Sequence, residues 1–299
     1  MSSSTRRSLT LTALLAALSL AACGDRRGPP AAGSAAPAPS RAAAPAAPAA
    51  APGSAAETAA TPAPPDAPEP SAIAVVPADA RQLVLALIED WDDTRAELSR
   101  WERDDHGAWR AVGKPWRGVI GRGAAWGRGL HGEGPPAGAA GETKREGDGK
   151  SPAGVFALRG SYGYAKAPPS GARWPYTPVD ARWSCVDDSA SRSYGQIVDT
   201  SELTPDWSSS EAMRRRDALY TWVVDVAHNP ERVQGGGSCI FLHVWRSADA
   251  ATVGCTAMAR RDLEEVLRWL APDAKPVFAL LPRRVHAERH EAWKLPAAP

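Results

Sequence analysis

The chain has 299 residues, with 35 Lys plus Arg against 34 Asp plus Glu and a formal net charge of +1. So even a balance, with no basic stripe, argues against a protein that binds nucleic acid by neutralising phosphates. All 12 Trp, 5 Tyr and 3 Phe lie beyond residue 77, so the apolar bulk able to form a core belongs to the later part of the chain.

Residues 1–22 read as an export signal. Arg6 and Arg7 form a basic flank, and the apolar run from Leu9 to Ala21 is too short to span a bilayer but suits a signal segment. It ends in Leu20-Ala21-Ala22-Cys23, with Gly24 next, an order that resembles a lipobox in which Cys23 is acylated. The expectation is lipidation at Cys23, with membrane attachment through acyl chains worth about 0.8 kcal/mol per buried methylene. Gly24 rather than Asp after the Cys resembles the outer-membrane sorting pattern, which implies a periplasmic, lipid-anchored protein at the cell envelope. Residues 23–77 are mostly Ala, Pro, Ser and Gly. They bury too little to offset chain entropy, and their prolines favour an extended tether. Residues 78–299 then suffice for one domain with a real core.

Within that domain Leu83–Ile88 reads as a buried strand. Thr94-Arg95-Ala96-Glu97 has the capping-box order, and Thr94, Leu98 and Trp101 fall at i, i+4 and i+7, which predicts a short helix. Trp109–Val112, Gly118–Ile120, Val155–Leu158, Tyr220–Val226 and Cys239–Trp245 read as strands. Leu263, Val266, Leu267 and Leu270 mark one face of a helix that Pro272 ends, and Val277–Leu281 reads as a strand. The tail beyond about residue 283 carries no clear element. The pattern predicts a mainly β fold, a sandwich or barrel with a few added helices.

Four cysteines are present: Cys23, Cys185, Cys239 and Cys255. If Cys23 is lipidated, three remain in an oxidising compartment, an odd number that leaves one thiol free or intermolecular. Cys255 has nucleophile-like surroundings, Thr252-Val253-Gly254-Cys255-Thr256, where Gly254 permits a sharp turn and close approach of a carbonyl. Backbone N–H groups at such a turn can meet an oxyanion, and a helix N-terminus nearby would favour the thiolate. His243, in Ile240-Phe241-Leu242-His243-Val244-Trp245, is the candidate base, although position alone equally fits a hydrogen-bonded core histidine. Cys185 and Cys239 are candidates for a disulfide worth about 2–4 kcal/mol. The alternative is a metal site from Cys239, His243, Cys255 and His228, but no second pair at ligand spacing completes a tetrahedral set. No metal and no cofactor is expected. Lys144–Lys150 lacks phosphate-loop spacing and reads as a solvated turn. His106, His131, His286 and His290 sit in polar or Gly-rich surroundings and read as solvated.

Three segments resemble the YkuD-type L,D-transpeptidase catalytic domain. They are Lys144–Phe156 with its Ser151-Pro152-Ala153-Gly154-Val155-Phe156, then Phe241-Leu242-His243, then Thr252-Val253-Gly254-Cys255. The resemblance covers about residues 80–282. It implies a YkuD-like β-sandwich or barrel with a helix after the nucleophile turn. It also implies a cysteine acyltransferase on peptidoglycan stem peptides, with Cys255 as nucleophile, His243 as base, and Gly254 and Cys255 as backbone oxyanion donors. The thioester would be resolved by an amine, giving transpeptidation, or by water, giving a carboxypeptidase or endopeptidase outcome. Val253 stands where many members have His, and Ala257 follows Thr256 where many have Arg or Asn. Arg246 and Thr252 are candidate substrate contacts. The alternative is a wall-binding lipoprotein that keeps the fold without catalysis.

Overall fold

The computed structural model describes residues 75–298. The expected export signal, the expected lipidation of Cys23 and the expected tether up to residue 74 lie outside the described residues.

The strands are β1 (Gln82–Ile88), β2 (Arg95–Arg103), β3 (Trp109–Val119), β4 (Ala124–Trp126), β5 (Arg128–Gly129), β6 (Gly132–Glu133), β7 (Ser151–Gly163) and β8 (Tyr176–Pro178). There follow β9 (Trp183–Val186), β10 (Ile197–Asp199), β11 (Ser210–Ala212), β12 (Val223–Val226), β13 (Phe241–Val244), β14 (Thr256–Met258) and β15 (Val277–Pro282). The helices are α1 (Arg260–Trp269) and α2 (Arg283–Trp293).

The main sheet runs β12-β13-β14-β3-β2-β1-β15-β7, and β7 also pairs antiparallel with β12, which closes these strands into a barrel. Closure removes the open edges that an exposed sheet would present. The fold is therefore mainly β, as the short strands and turn signals predicted. All seven residues of β1 are buried, because it lies between β2 and β15 in a sheet covered on both faces. That explains its unbroken apolar run.

The helix expected near Thr94–Trp101 is strand β2 instead. Leu98 pairs with Ala86 and Trp101 with Leu83, so the two side chains point to opposite faces of the sheet. Both are buried because both faces are covered. Apolar residues three apart, which look helical in sequence, are here one from each side of a strand. Trp109–Val112 and Gly118–Ile120, expected as two strands, belong mostly to the single long β3. Its Pro115 falls where the pairing with β2 shifts register, between Trp116 and Val112, so the missing N–H breaks no ladder bond there. The tail without a clear element forms α2, which buries Val285, His286 and Trp293. Helix α1 buries Leu263, Val266 and Leu267, the stripe read from the sequence.

Between β8 and β12 the chain makes a separate antiparallel sheet, β10-β9-β11. Cys185 on β9 is bonded to Cys239, just before β13. The bridge ties the small sheet to the barrel strand that carries His243.

Candidate active site

Strands β13 and β14 are parallel neighbours, with Leu242 beside Thr256 and His243 beside Ala257. One step back in this register, Phe241 lies beside Cys255. Side chains alternate along a strand and register partners share a face, so Phe241, His243 and Cys255 project to the same side. Two short elements thus bring together residues twelve apart in sequence. They face a cleft of ≈ 790 Å³ that His243, Cys255, Arg246 and Thr252 all line.

The turn before β14 is held by hydroxyls. Thr252 Oγ1 accepts the Gly254 N–H at 3.2 Å and donates to the Cys255 carbonyl at 2.6 Å. Ser151 Oγ accepts the Gly121 N–H at 2.9 Å and shares its proton between the carbonyls of Gly254, at 2.7 Å, and Cys255, at 3.0 Å. Gly254 has φ +140°, and a Cβ there would crowd the Lys150 carbonyl and Ile240, so glycine is required on both counts. These bonds sharpen two expectations. Thr252 serves the turn itself, and the Gly254 N–H already has a partner. Outside the strand ladders, no hydrogen bond from the Cys255 N–H is found among the described residues. Ser151 was part of a quoted motif, but its reach of 103 residues to the turn could not be read from sequence.

His243 is buried, and its Nδ1–H donates to the Val244 carbonyl at 2.8 Å. That bond assigns the tautomer and leaves the Nε2 lone pair as the basic one. The Tyr220 ring meets the imidazole edge-on, centroids 5.2 Å apart. Burial pushes the His243 pKa down from 6.5 to about 4 and the Cys255 thiol up to about 12, so both are neutral at pH 7. The thiol does not sit at the helix N-terminus expected to favour the thiolate: β14 lies between Cys255 and α1. The Cys255 sulfur accepts the Phe241 N–H at 3.3 Å and faces the Cys239 carbonyl at 3.5 Å. It makes no hydrogen bond to His243.

The cleft walls carry both signs of charge, among them Arg122, Lys144, Arg215, Glu146 and Glu211. Lys144, expected in a solvated turn, is buried and ion-paired to Asp148 at 2.5 Å. Arg246 is exposed on the rim. Cys239 is spent in the disulfide, so its sulfur is no thiolate for the alternative metal set. Two histidines read as solvated are packed instead. The His131 ring sits against Trp126, Phe156 and Trp293, and Nε2 of buried His286 donates to the Pro296 carbonyl at 3.0 Å. His106 is exposed, as read.

A buried free thiol, a tautomer-fixed imidazole and a glycine turn thus lie together on one side of the β-barrel. The profile of the YkuD family, L,D-transpeptidase catalytic domain, matches residues 93–278. The chain belongs to that family. No curated protein and no solved structure matches it.

Proposed function

We propose that the protein carries out cysteine-dependent acyl transfer on peptidoglycan stem peptides at the cell envelope, with Cys255 as nucleophile and His243 as base. One observation carries the reading: Cys255 and His243 share a face of two adjacent parallel strands and open into one cleft. In this reaction the Cys255 sulfur attacks the carbonyl before the terminal D-residue, and the Sγ–H proton passes to His243 Nε2. The Cys255 N–H meets the oxygen that gains the charge. Collapse breaks the C–N bond, His243 returns the proton to the departing amine, and a thioester remains. An incoming amine or water then resolves it, giving the transpeptidase or the hydrolytic outcome. Arg246 on the rim is a candidate contact for a substrate carboxylate. The lipid anchor at Cys23 would hold this domain in the periplasm, at the outer membrane. The test is release of D-Ala from tetrapeptide muropeptides, which Cys255→Ala should abolish; unchanged release would remove Cys255 from the mechanism.

A second reading is favoured by the resting thiol, which is deeply desolvated and not bonded to His243. In it, the same cleft binds stem peptides without acylation. Muropeptide binding without any covalent adduct would support that reading.

A further inference from the structure

The Cys185–Cys239 bridge does more than tie the small sheet to the barrel, because one of its cysteines touches the Cys255 thiol. Cys239 has φ +55°, in the left-handed region that residues other than glycine and asparagine rarely adopt. Its carbonyl accepts the Cys255 Sγ–H at 3.5 Å, and two residues further on the Phe241 N–H donates to the same sulfur at 3.3 Å. The chain is tied on either side of Cys239. The Gly237 N–H donates to the Tyr194 hydroxyl at 3.0 Å, and the Ile240 carbonyl accepts the Val226 N–H at 3.1 Å. Between these ties the Cys239 side chain is fixed by its bond to Cys185. Cys185 is itself anchored, since it lies in the middle strand of β10-β9-β11, paired with Ile197 on one side and Glu211 on the other.

We infer that Cys239 is a positioning residue for Cys255: the bridge holds it in the left-handed conformation, and its carbonyl keeps the Sγ–H proton turned away from His243. This rests on the reading of Cys255 as nucleophile and His243 as base. A carbonyl oxygen against sulfur favours the thiol over the thiolate, because its partial negative charge would face a full one. The Phe241 N–H acts the other way but is fixed at the start of β13, so the balance turns on where the Cys239 carbonyl points. A left-handed conformation at a residue such as Cys239 persists only where its surroundings over-determine it, and such positions gather at reactive sites. Here the covalent tie supplies the constraint. A thiol kept protonated resists oxidation and alkylation alike, since both proceed through the thiolate. Attack on a substrate then begins with the Sγ–H leaving the Cys239 carbonyl and turning to His243 Nε2, and no covalent bond is made or broken in that turn.

Breaking the bridge also loosens β9, and with it Glu211 on the paired strand β11, which lines the same cleft as Cys255. A change in the thiol of a chain without the bridge therefore has two sources to tell apart, the carbonyl and the carboxylate. They are separated by two variants that lack the bridge alike and differ only in how readily residue 239 holds the left-handed conformation. Lys144, Tyr220 and His243, which also line the cleft, are the same in both.

The test is the pH dependence of Cys255 alkylation by iodoacetamide in the full chain, read by peptide mapping, which needs no stem peptide. In Cys185→Ser/Cys239→Ala, where alanine disfavours the left-handed region, the profile should move to lower pH. Neutral-pH alkylation should rise roughly threefold to tenfold, the effect of one hydrogen bond lost from the thiol. In Cys185→Ser/Cys239→Asn, where asparagine tolerates that region, the profile should stay near that of the wild type. Equal shifts in the two variants, a shift of the Ala variant to higher pH, or a profile that neither variant changes would overturn the inference. Melting temperatures that agree between the two variants show that each is folded. A measurement on the wild type keeps the test independent of any variant's folding: the S–H stretching band of Cys255, isolated as the infrared difference between wild type and Cys255→Ala. It should lie below the frequency of an unbonded thiol, and a band at the unbonded position equally defeats the inference. If these results come out as expected but muropeptides are never cleaved, the functional proposal fails and the positioning role of Cys239 stands.

Discussion

His228 and His243 are two buried histidines on adjacent chain segments, yet their ring nitrogens are committed differently. His228 faces a smaller cavity of ≈ 370 Å³, its Nε2–H donating to the Gly236 carbonyl at 3.0 Å while Nδ1 accepts the Arg128 N–H at 3.3 Å. Both of its ring nitrogens are committed. His243 commits only Nδ1, to Val244, and keeps Nε2 for the larger cleft beside Cys255. Burial depresses both pKa values, to about 3 and about 4, so a shifted pKa alone does not separate a structural histidine from a reactive one. The uncommitted nitrogen does.

The comparison can be broken most sharply by substitution. His243→Asn should lower acyl transfer by roughly 10²–10⁴-fold, the usual range for a general base, with the fall read in single-turnover thioester formation. His228→Asn should leave the rate of the folded enzyme nearly unchanged. Equal losses in the two variants would erase the distinction.

Stability should show the reverse order. His228→Ala strands the Gly236 carbonyl and the Arg128 N–H, and should cost about 1–3 kcal/mol in urea unfolding. Replacing Cys185 and Cys239 together by Ser should cost about 2–4 kcal/mol by the same measurement and loosen the sheet carrying Glu211. A smaller effect is expected from acid. Because the folded pKa values of His228 and His243 lie below the ordinary 6.5, the unfolded chain binds protons the folded chain refuses. Stability should therefore fall as pH drops below 6.5, by about 1.4 kcal/mol per pH unit for each histidine, until the folded rings protonate. Cys255 acts at the other end: with its folded pKa raised, stability falls as pH rises above 9.0. In His228→Asn the acid slope from these two groups should halve. Ser151→Ala, which strands the Gly121 N–H and the Gly254 carbonyl while Thr252 still holds the Cys255 carbonyl, should likewise cost about 1–3 kcal/mol in urea unfolding.

Much of this arrangement is legible in the sequence. β1, β13, β15, α1 and the middle of β7 follow from apolar runs and periodicity, and the Gly254 turn points to Cys255. The reading of Thr94–Trp101 as helix failed because a strand covered on both faces loses the two-residue alternation that marks half-buried strands. α2 went unseen because its buried residues are few and lie among Arg, His and Glu. Tyr220, Glu211 and Arg215 were missed as site residues for a different reason. They line the cleft with Cys255 because the segment between β9 and β12 returns to the barrel, and no local pattern encodes that return. Ser151 is the intermediate case, visible as part of a motif but silent about its partner.

The most direct measurement is intact mass after exposing the purified protein to a carbapenem, which acylates a competent active-site thiol. The account predicts one adduct, localised by peptide mapping to Cys255, absent in Cys255→Ala and slowed in His243→Asn. An unmodified wild-type chain that still binds muropeptides would contradict it, leaving a barrel that holds cell-wall peptides without reacting with them.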